Sequence, residues 1–310
     1  METAPVALFF FNRPAVTFRV LDRIRQARPS RLYLVSDGPR GHVAGEAATV
    51  EGLRQEVVKT VDWRPELVTI FAEENLGCSR RMASGIEAVL AREPAAIFLE
   101  DDCLPAPSFF GFATRLLDRH REDQQCMSVS GTNLATRLGR GTGYRACHFP
   151  MIWGWATWAR AWKGYRRVMD PGDDSFLDEL AAAGKIPGFL PERWHEMYSV
   201  AAKNPDFTWD YQFIFHCMRA GGWSLFPETN LIANLGHGAD ATHTKGTYTP
   251  FSSLRLGAID FDAVGTAPSR CDLWYDRFFQ HEYLFGLTSW RNLPYKVAHK
   301  LNAFWSKFGK

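Results

Sequence analysis

Short apolar runs and helical repeats alternate along the first 130 residues, and this rhythm indicates the fold before any single side chain is weighed. Residues 6–11 form an unbroken apolar run closed by Asn12-Arg13-Pro14, the pattern of a strand buried on both faces. Phe18, Leu21 and Ile24 then recur at helical spacing until Arg28-Pro29-Ser30. Residues 31–36 repeat the strand pattern and end at Asp37-Gly38-Pro39, residues 46–61 read as a polar helix, and residues 67–71 as a third strand. Met82, Ile86, Val89 and Leu90 mark the next helix, residues 95–99 a fourth strand, Phe109 to Leu117 an amphipathic helix and residues 127–131 a fifth strand.

Strict alternation of this kind predicts an α/β fold, a mostly parallel sheet with helices on both faces. Right-handed crossovers would then line up the loops holding Arg13, Asp37, Arg80-Arg81 and Glu100-Asp101-Asp102 along one sheet edge. After residue 133 the rhythm lapses. Residues 151–158 have neither clean period, residues 175–203 look helical, and a helix carrying Phe213, Phe215 and Met218 follows Trp209-Asp210. Strands are expected at residues 223–227 and 231–234, the second leading into Gly236-His237-Gly238. With no repeat and no low-complexity linker, the reading is one domain: residues 1–133 as its first half, 134–285 as an elaborated second half, and 286–310 as a separate tail.

Composition narrows the function. A hydrophobic content of 46% over 310 residues supplies a large core, and 36 basic against 34 acidic side chains give no net field for nucleic acid. Six scattered cysteines show no paired metal-ligand spacing, which suits a reducing compartment. The first residues carry no basic signal region and no apolar run is long enough to cross a bilayer, so the expectation is a cytoplasmic protein, free or peripheral at a membrane surface.

The chemistry concentrates where the fourth strand ends, in Glu100-Asp101-Asp102. Three adjacent carboxylates repel one another, and at the carboxyl end of a parallel strand a divalent cation or ribose hydroxyls would offset that repulsion. The plain alternative is a solvated acidic turn closed by Pro105 and Pro107. Together with Asn12-Arg13, Ser36-Asp37-Gly38 and Asn75-Leu76-Gly77, the triplet resembles the nucleotide-sugar half of a GT-A glycosyltransferase, a Rossmann-like fold. Pro107 with Phe109-Phe110, then Gly154-Trp155 and Trp209-Asp210, are most similar to the N-acetylglucosaminyltransferase I family, and also to bacterial nucleotide-diphospho-sugar transferase-like proteins.

That resemblance implies a metal-dependent, inverting hexosyl- or N-acetylhexosaminyltransferase that moves a sugar from a nucleotide-diphosphate donor, a UDP-sugar, to a glycan or glycolipid in polysaccharide biosynthesis. By the same match Asp102 holds Mn2+ or Mg2+, Glu100 and Asp101 take ribose and sugar hydroxyls, Asp37 accepts from the uracil imide, and Arg13 meets ribose or phosphate. Asp37 before Gly-Pro is equally a good turn former, and Arg13 equally an ordinary surface charge. Arg80 and Arg81 open a helix near the expected phosphate position, and Arg81 is taken as the one that meets it.

Asp210 is the matching general base, although Tyr211 stands where the family has a second acid; its plain alternative is a helix N-cap. Gly154, Trp155 and Trp209 are expected to wall the sugar or acceptor, or else to be core. His237, between two glycines, is a candidate second metal ligand or a turn residue. At the end of the chain Leu301, Phe304, Trp305 and Phe308 share one helical face flanked by lysines, which suits either an anionic membrane surface or a helix docked on the domain. The rival reading of the whole chain is a non-catalytic GT-A-like protein that binds a glycan or a partner. A nucleotidyltransferase is disfavoured because Asn12-Arg13-Pro14 lacks a glycine-rich phosphate loop.

Overall fold

The structure is a computed structural model that describes residues 2–135, 143–186, 188–236, 254–260, 268 and 270–286. Its first half follows the sequence rhythm: β1 Val6–Phe10, α1 Pro14–Ala27, β2 Arg31–Ser36, α2 Glu46–Thr60, β3 Glu66–Phe71, α3 Gly77–Leu90, β4 Ala95–Glu100, β5 Cys103–Pro105, α4 Pro107–Arg119 and β6 Cys126–Ser130. Pro14 and Pro107 each occupy a first helical turn, where a missing N–H costs nothing.

The second half contributes β7 Tyr144–Cys147, β8 Trp155–Trp158, α5 Ala159–Trp162, α6 Phe176–Ala183, α7 Pro191–Lys203, α8 Asp210–Arg219, β9 Trp223–Pro227, β10 Ile232–Asn234 and α9 Leu273–Phe278, followed by a π-helical turn, Phe279–Leu284. The single helical stretch expected over residues 175–203 is two helices. Gly184 ends α6 in the left-handed region at φ 60°, and Pro191 restarts the chain as α7.

Eight strands form one sheet in the order β3-β2-β1-β4-β8-β6-β9-β7. The β3-β2-β1-β4 block is wholly parallel, whereas β8 enters antiparallel between β4 and β6 and β7 closes the far edge antiparallel to β9. Second-half strands therefore share the sheet of the first half. Helices cover both faces. Arg54 of α2 reaches Ser36 Oγ at 3.1 Å, while a side chain on Gly85 of α3 would overlap Val35 and Phe9, and Val35 and Ser36 point to opposite faces of β2.

This is the expected α/β architecture, with β5, β7, α5 and α9 beyond what the pattern reveals and, in mid-sheet, β8. All four of its residues are buried, so polarity cannot alternate along it. On the α3 face, Phe98 of β4 lies 5.3 Å from Trp155, which stacks on Trp209 at 5.6 Å and packs on Phe213 at 5.0 Å. That aromatic column fixes α8 against the sheet. Period two makes Glu100 point the same way as Phe98, toward the start of α8.

Candidate active site

The four parallel strands end along one edge, which brings Arg13, Asp37, the start of α3 and the acid triplet to the same side of the sheet. The triplet sits in the turn between β4 and β5. Because β10 pairs antiparallel with β5, the returning chain passes directly over Asp102: the Leu235 N–H donates to the Asp102 carbonyl at 2.7 Å, and a side chain on Gly236 would overlap the Asp102 carboxylate. His237, the next residue, lies outside the described residues.

The three acids point to different partners. Asp101, with a side chain 5% exposed, is turned inward onto the Arg13 guanidinium, which meets both its oxygens, Nη2 on Oδ1 and Nε on Oδ2 at 3.4 Å. Arg13 Nη2 also donates to Asp102 Oδ2 at 2.9 Å. Among the described residues Asp102 Oδ1 meets only the Cys103 thiol, at 3.6 Å. Burial lowers the Arg13 pKa, yet Asp101 and Asp102 outweigh it and raise it overall, so the guanidinium is a fixed positive charge. For Asp101 burial prevails over Arg13, and its pKa is raised to about 6.

Glu100 is pushed well above the usual carboxylate range, first by burial and then by Asp102, Asp101 and Asp210, against a smaller pull from Arg13. Arg13 thus answers Asp101 and Asp102, while Glu100 also lies in the field of Asp210. Carboxylates outnumber the guanidinium, the condition under which a proton or a cation is drawn in. The donor set fits a hard cation only in part: among the described residues no three of His, Cys, Asp and Glu gather as a closed site. Asp102 could serve as one ligand, with phosphate oxygens and water completing the shell, as is usual for Mg2+ and its relatives.

Asp37 has a different environment. It is buried and accepts from the N–H groups of Gly38 at 3.0 Å and Leu76 at 2.8 Å, from Gly77 N–H at 2.9 Å and from Asn75 Nδ2 at 3.1 Å. Four donors fill a carboxylate's capacity. Its place in the structure is that of a clamp shaping the turn at residues 75–77, with no oxygen turned out for an imide.

The two arginines at the start of α3 separate cleanly. Arg80 is exposed and forms a fork with Asp206, both bonds at 2.9 Å. Arg81 is 8% exposed, and its Nε is one of two buried side-chain polar atoms without a partner among the described residues, Gln212 Oε1 being the other. Burial lowers its pKa, against a smaller lift from Asp37. A buried guanidinium nitrogen without an acceptor favours an anion or water beside it.

Asp210 stands at the first position of α8, not at its cap, which is Trp209 and makes no side-chain capping bond. Its Oδ1 accepts from Thr208 Oγ1 and from the Tyr211 N–H at 3.0 Å. Several contacts hold that segment in place: Ser79 Oγ donates to the Thr208 carbonyl at 3.0 Å and to the Pro205 carbonyl at 2.7 Å, and Tyr165 donates to the Trp209 carbonyl at 3.0 Å. The α3 start therefore carries the wall that carries Asp210. The exposed Cys78, at the start of α3, lies within the field of both Glu100 and Asp210. Asp210 also contributes to raising the pKa of the Tyr283 and Tyr165 hydroxyls, behind burial. Of these neighbours only Thr208, a hydroxyl two residues before the acid, leaves a readable sign in the sequence.

Three expected wall residues lie elsewhere. Trp155 and Trp209 are 1% and 2% exposed within the aromatic column, and their faces are spent on each other and on Phe98 and Phe213. Gly154 is buried as well, at φ 58°, where any side chain would overlap Ile232. These residues position α8 and β10 and form no cleft surface. The C-terminal tail beyond residue 286 falls outside the described residues, and among the described residues no helix is long and apolar enough to cross a membrane.

No protein-family model matches the sequence, and no curated protein matches it. Solved structures do. One is described as GalNAc-T7 with UDP, GalNAc and Mn2+, 10% identical over 79% of this chain and 46% of that one, with a TM-score of 0.46. The chain thus spans about half the length of that protein. Another is the galactosyltransferase LgtC in complex with donor and acceptor sugar analogs, 13% identical over 92% of this chain and 97% of that one, with a TM-score of 0.38. At such identities and TM-scores the likeness carries no residue role to this chain.

Proposed function

We propose that the protein is a glycosyltransferase that takes a sugar from a nucleotide-diphosphate donor, a UDP-sugar, and passes it with inversion to a hydroxyl of a glycan or glycolipid. Two features at the strand-end edge carry this reading: the cluster of carboxylates around Glu100-Asp101-Asp102, and at the start of α3 the buried Arg81 Nε, which lacks an acceptor among the described residues. The first suits a cation and sugar hydroxyls, and the second suits a phosphate.

Arg81 would pair with the diphosphate from the α3 side, where its charge is strengthened by the dry surroundings that now penalise it. Glu100, on the crevice floor, would hold ribose or sugar hydroxyls; its raised pKa lets it donate as well as accept near neutral pH. Asp101 acts through Arg13, orienting a charge that faces the donor. Asp210, aimed by Thr208, would take the proton of the acceptor hydroxyl as that oxygen attacks the anomeric carbon from the side away from the leaving group. A divalent cation, Mn2+ or Mg2+, held by Asp102 with His237 as the proposed second ligand, would neutralise charge building on the departing diphosphate.

One observation favours the rival reading of a non-catalytic binder: Arg13 already offsets part of the triplet's charge without any ligand. Against it, a single guanidinium leaves Glu100 strongly perturbed. A thermal-shift screen of nucleotide sugars with Mn2+ separates the two, since a ligand that prefers the folded state raises its melting temperature. Stabilisation by a nucleotide-diphosphate sugar, dependent on metal, is expected; stabilisation by glycans alone would favour the rival.

A further inference from the structure

We propose that Arg13 is a resident counter-cation that competes with the divalent metal for Asp102, so that the metal binds only as Arg13 gives up that carboxylate. The idea rests on the metal-binding reading of the triplet given above.

The geometry is uneven in a telling way. Arg13 engages both oxygens of Asp101 but only one of Asp102, at 2.9 Å. Asp101 is the more enclosed of the two, with 5% of its side chain exposed against 17% for Asp102. The buried fork anchors the guanidinium, and the outer bond is the one that can open. A cation bound to the Asp102 carboxylate would lie within a few ångströms of Arg13 Nη2, with like charges opposed in a half-buried crevice. Leu235 and Gly236 cover Asp102 from the β10 side, so its carboxylate cannot swing there to escape the conflict.

The competition has two consequences. Without a nucleotide, metal affinity is held down, which keeps the acids from scavenging free cations. With one, the diphosphate offers Arg13 a replacement anion, so nucleotide and metal each tighten the other's binding.

The test is a titration of the full chain with Mn2+ alone, free metal being counted from its electron paramagnetic resonance signal. Arg13→Gln is expected to bind Mn2+ about tenfold more tightly than the parent, within the usual range of coupling between sites. Arg13→Lys keeps a charge beside Asp101 without a fork that spans both acids, and is expected to fall between the two. A folded Arg13→Gln protein with parental Mn2+ affinity overturns the proposal. Should that variant fail to fold, parental or weaker affinity in Arg13→Lys overturns it equally. If Arg13→Gln tightens Mn2+ while no nucleotide sugar binds either protein, the competition stands and the transferase reading fails. If both proteins bind the donor and Mn2+ affinity is unchanged, the competition fails and the transferase reading stands.

Discussion

The carboxylate of Asp37 receives the backbone amide of Gly77 at 2.9 Å, so the residue that closes β2 also holds the turn that launches α3. Gly77 sits at φ 77°, a conformation that glycine adopts without penalty. Through this bond the strand end sets where Cys78, Arg80 and Arg81 stand.

Asp37→Asn is therefore expected to damage the fold. An amide would turn an N–H2 toward donors on at least one side, leaving buried amides unpaired, at a cost on the order of 2–3 kcal/mol. Chemical denaturation measures it. If the variant unfolds like the parent and loses only donor affinity, Asp37 reads the base and the clamp is incidental.

Glu100 should have a measurable effect on stability with a definite pH dependence. Its folded-state pKa is raised above the ordinary 4.5 by burial and by the acids around it. Over the window above that value the unfolded chain has released a proton that the folded one retains, so stability falls as pH rises. Glu100→Gln removes this dependence. Calorimetry should show the variant melting above the parent at pH 8, with the gap shrinking toward pH 4, while donor binding weakens; a gap that stays constant with pH would contradict the assignment.

Asp210→Asn is expected to bind the donor as the parent does and to lose transfer by at least about a hundredfold, the usual worth of a positioned base. Thr208→Ala should lower kcat more than it raises KM, and Thr208→Ser should restore most of the loss by resupplying the hydroxyl. Steady-state rates with a competent acceptor decide it. Full activity in Asp210→Asn would remove the proposed base.

Much of this was legible in the chain before any coordinates. The β1-to-β4 rhythm and the acids after β4 were readable because a strand buried on both faces must be apolar throughout and must stop where charge begins. The rest is hidden for reasons that differ from residue to residue. β8 escaped because Trp155, Ala156, Thr157 and Trp158 are all buried, erasing the alternation that marks a half-exposed strand.

For Asp37 the chain offers base contact and turn former equally, because its saturating donors include backbone amides of Leu76 and Gly77, some forty residues away and invisible to side-chain patterns. Trp155 and Trp209 read in the sequence as either wall or core, because aromatic content does not distinguish a surface that stacks on a sugar from one that stacks on another ring. The Arg80-Arg81 pair needed Asp206, from the segment before α8, to show which arginine faces water.

The most direct test of the whole scheme is a calorimetric titration of the full chain with UDP-sugars, with and without Mn2+, repeated on Asp102→Ala. Saturable binding that requires the metal and vanishes in Asp102→Ala, while that variant's melting curve stays parental, is the expected result. No binding of any nucleotide sugar by the parent protein, or equal binding by both proteins with and without Mn2+, would contradict it.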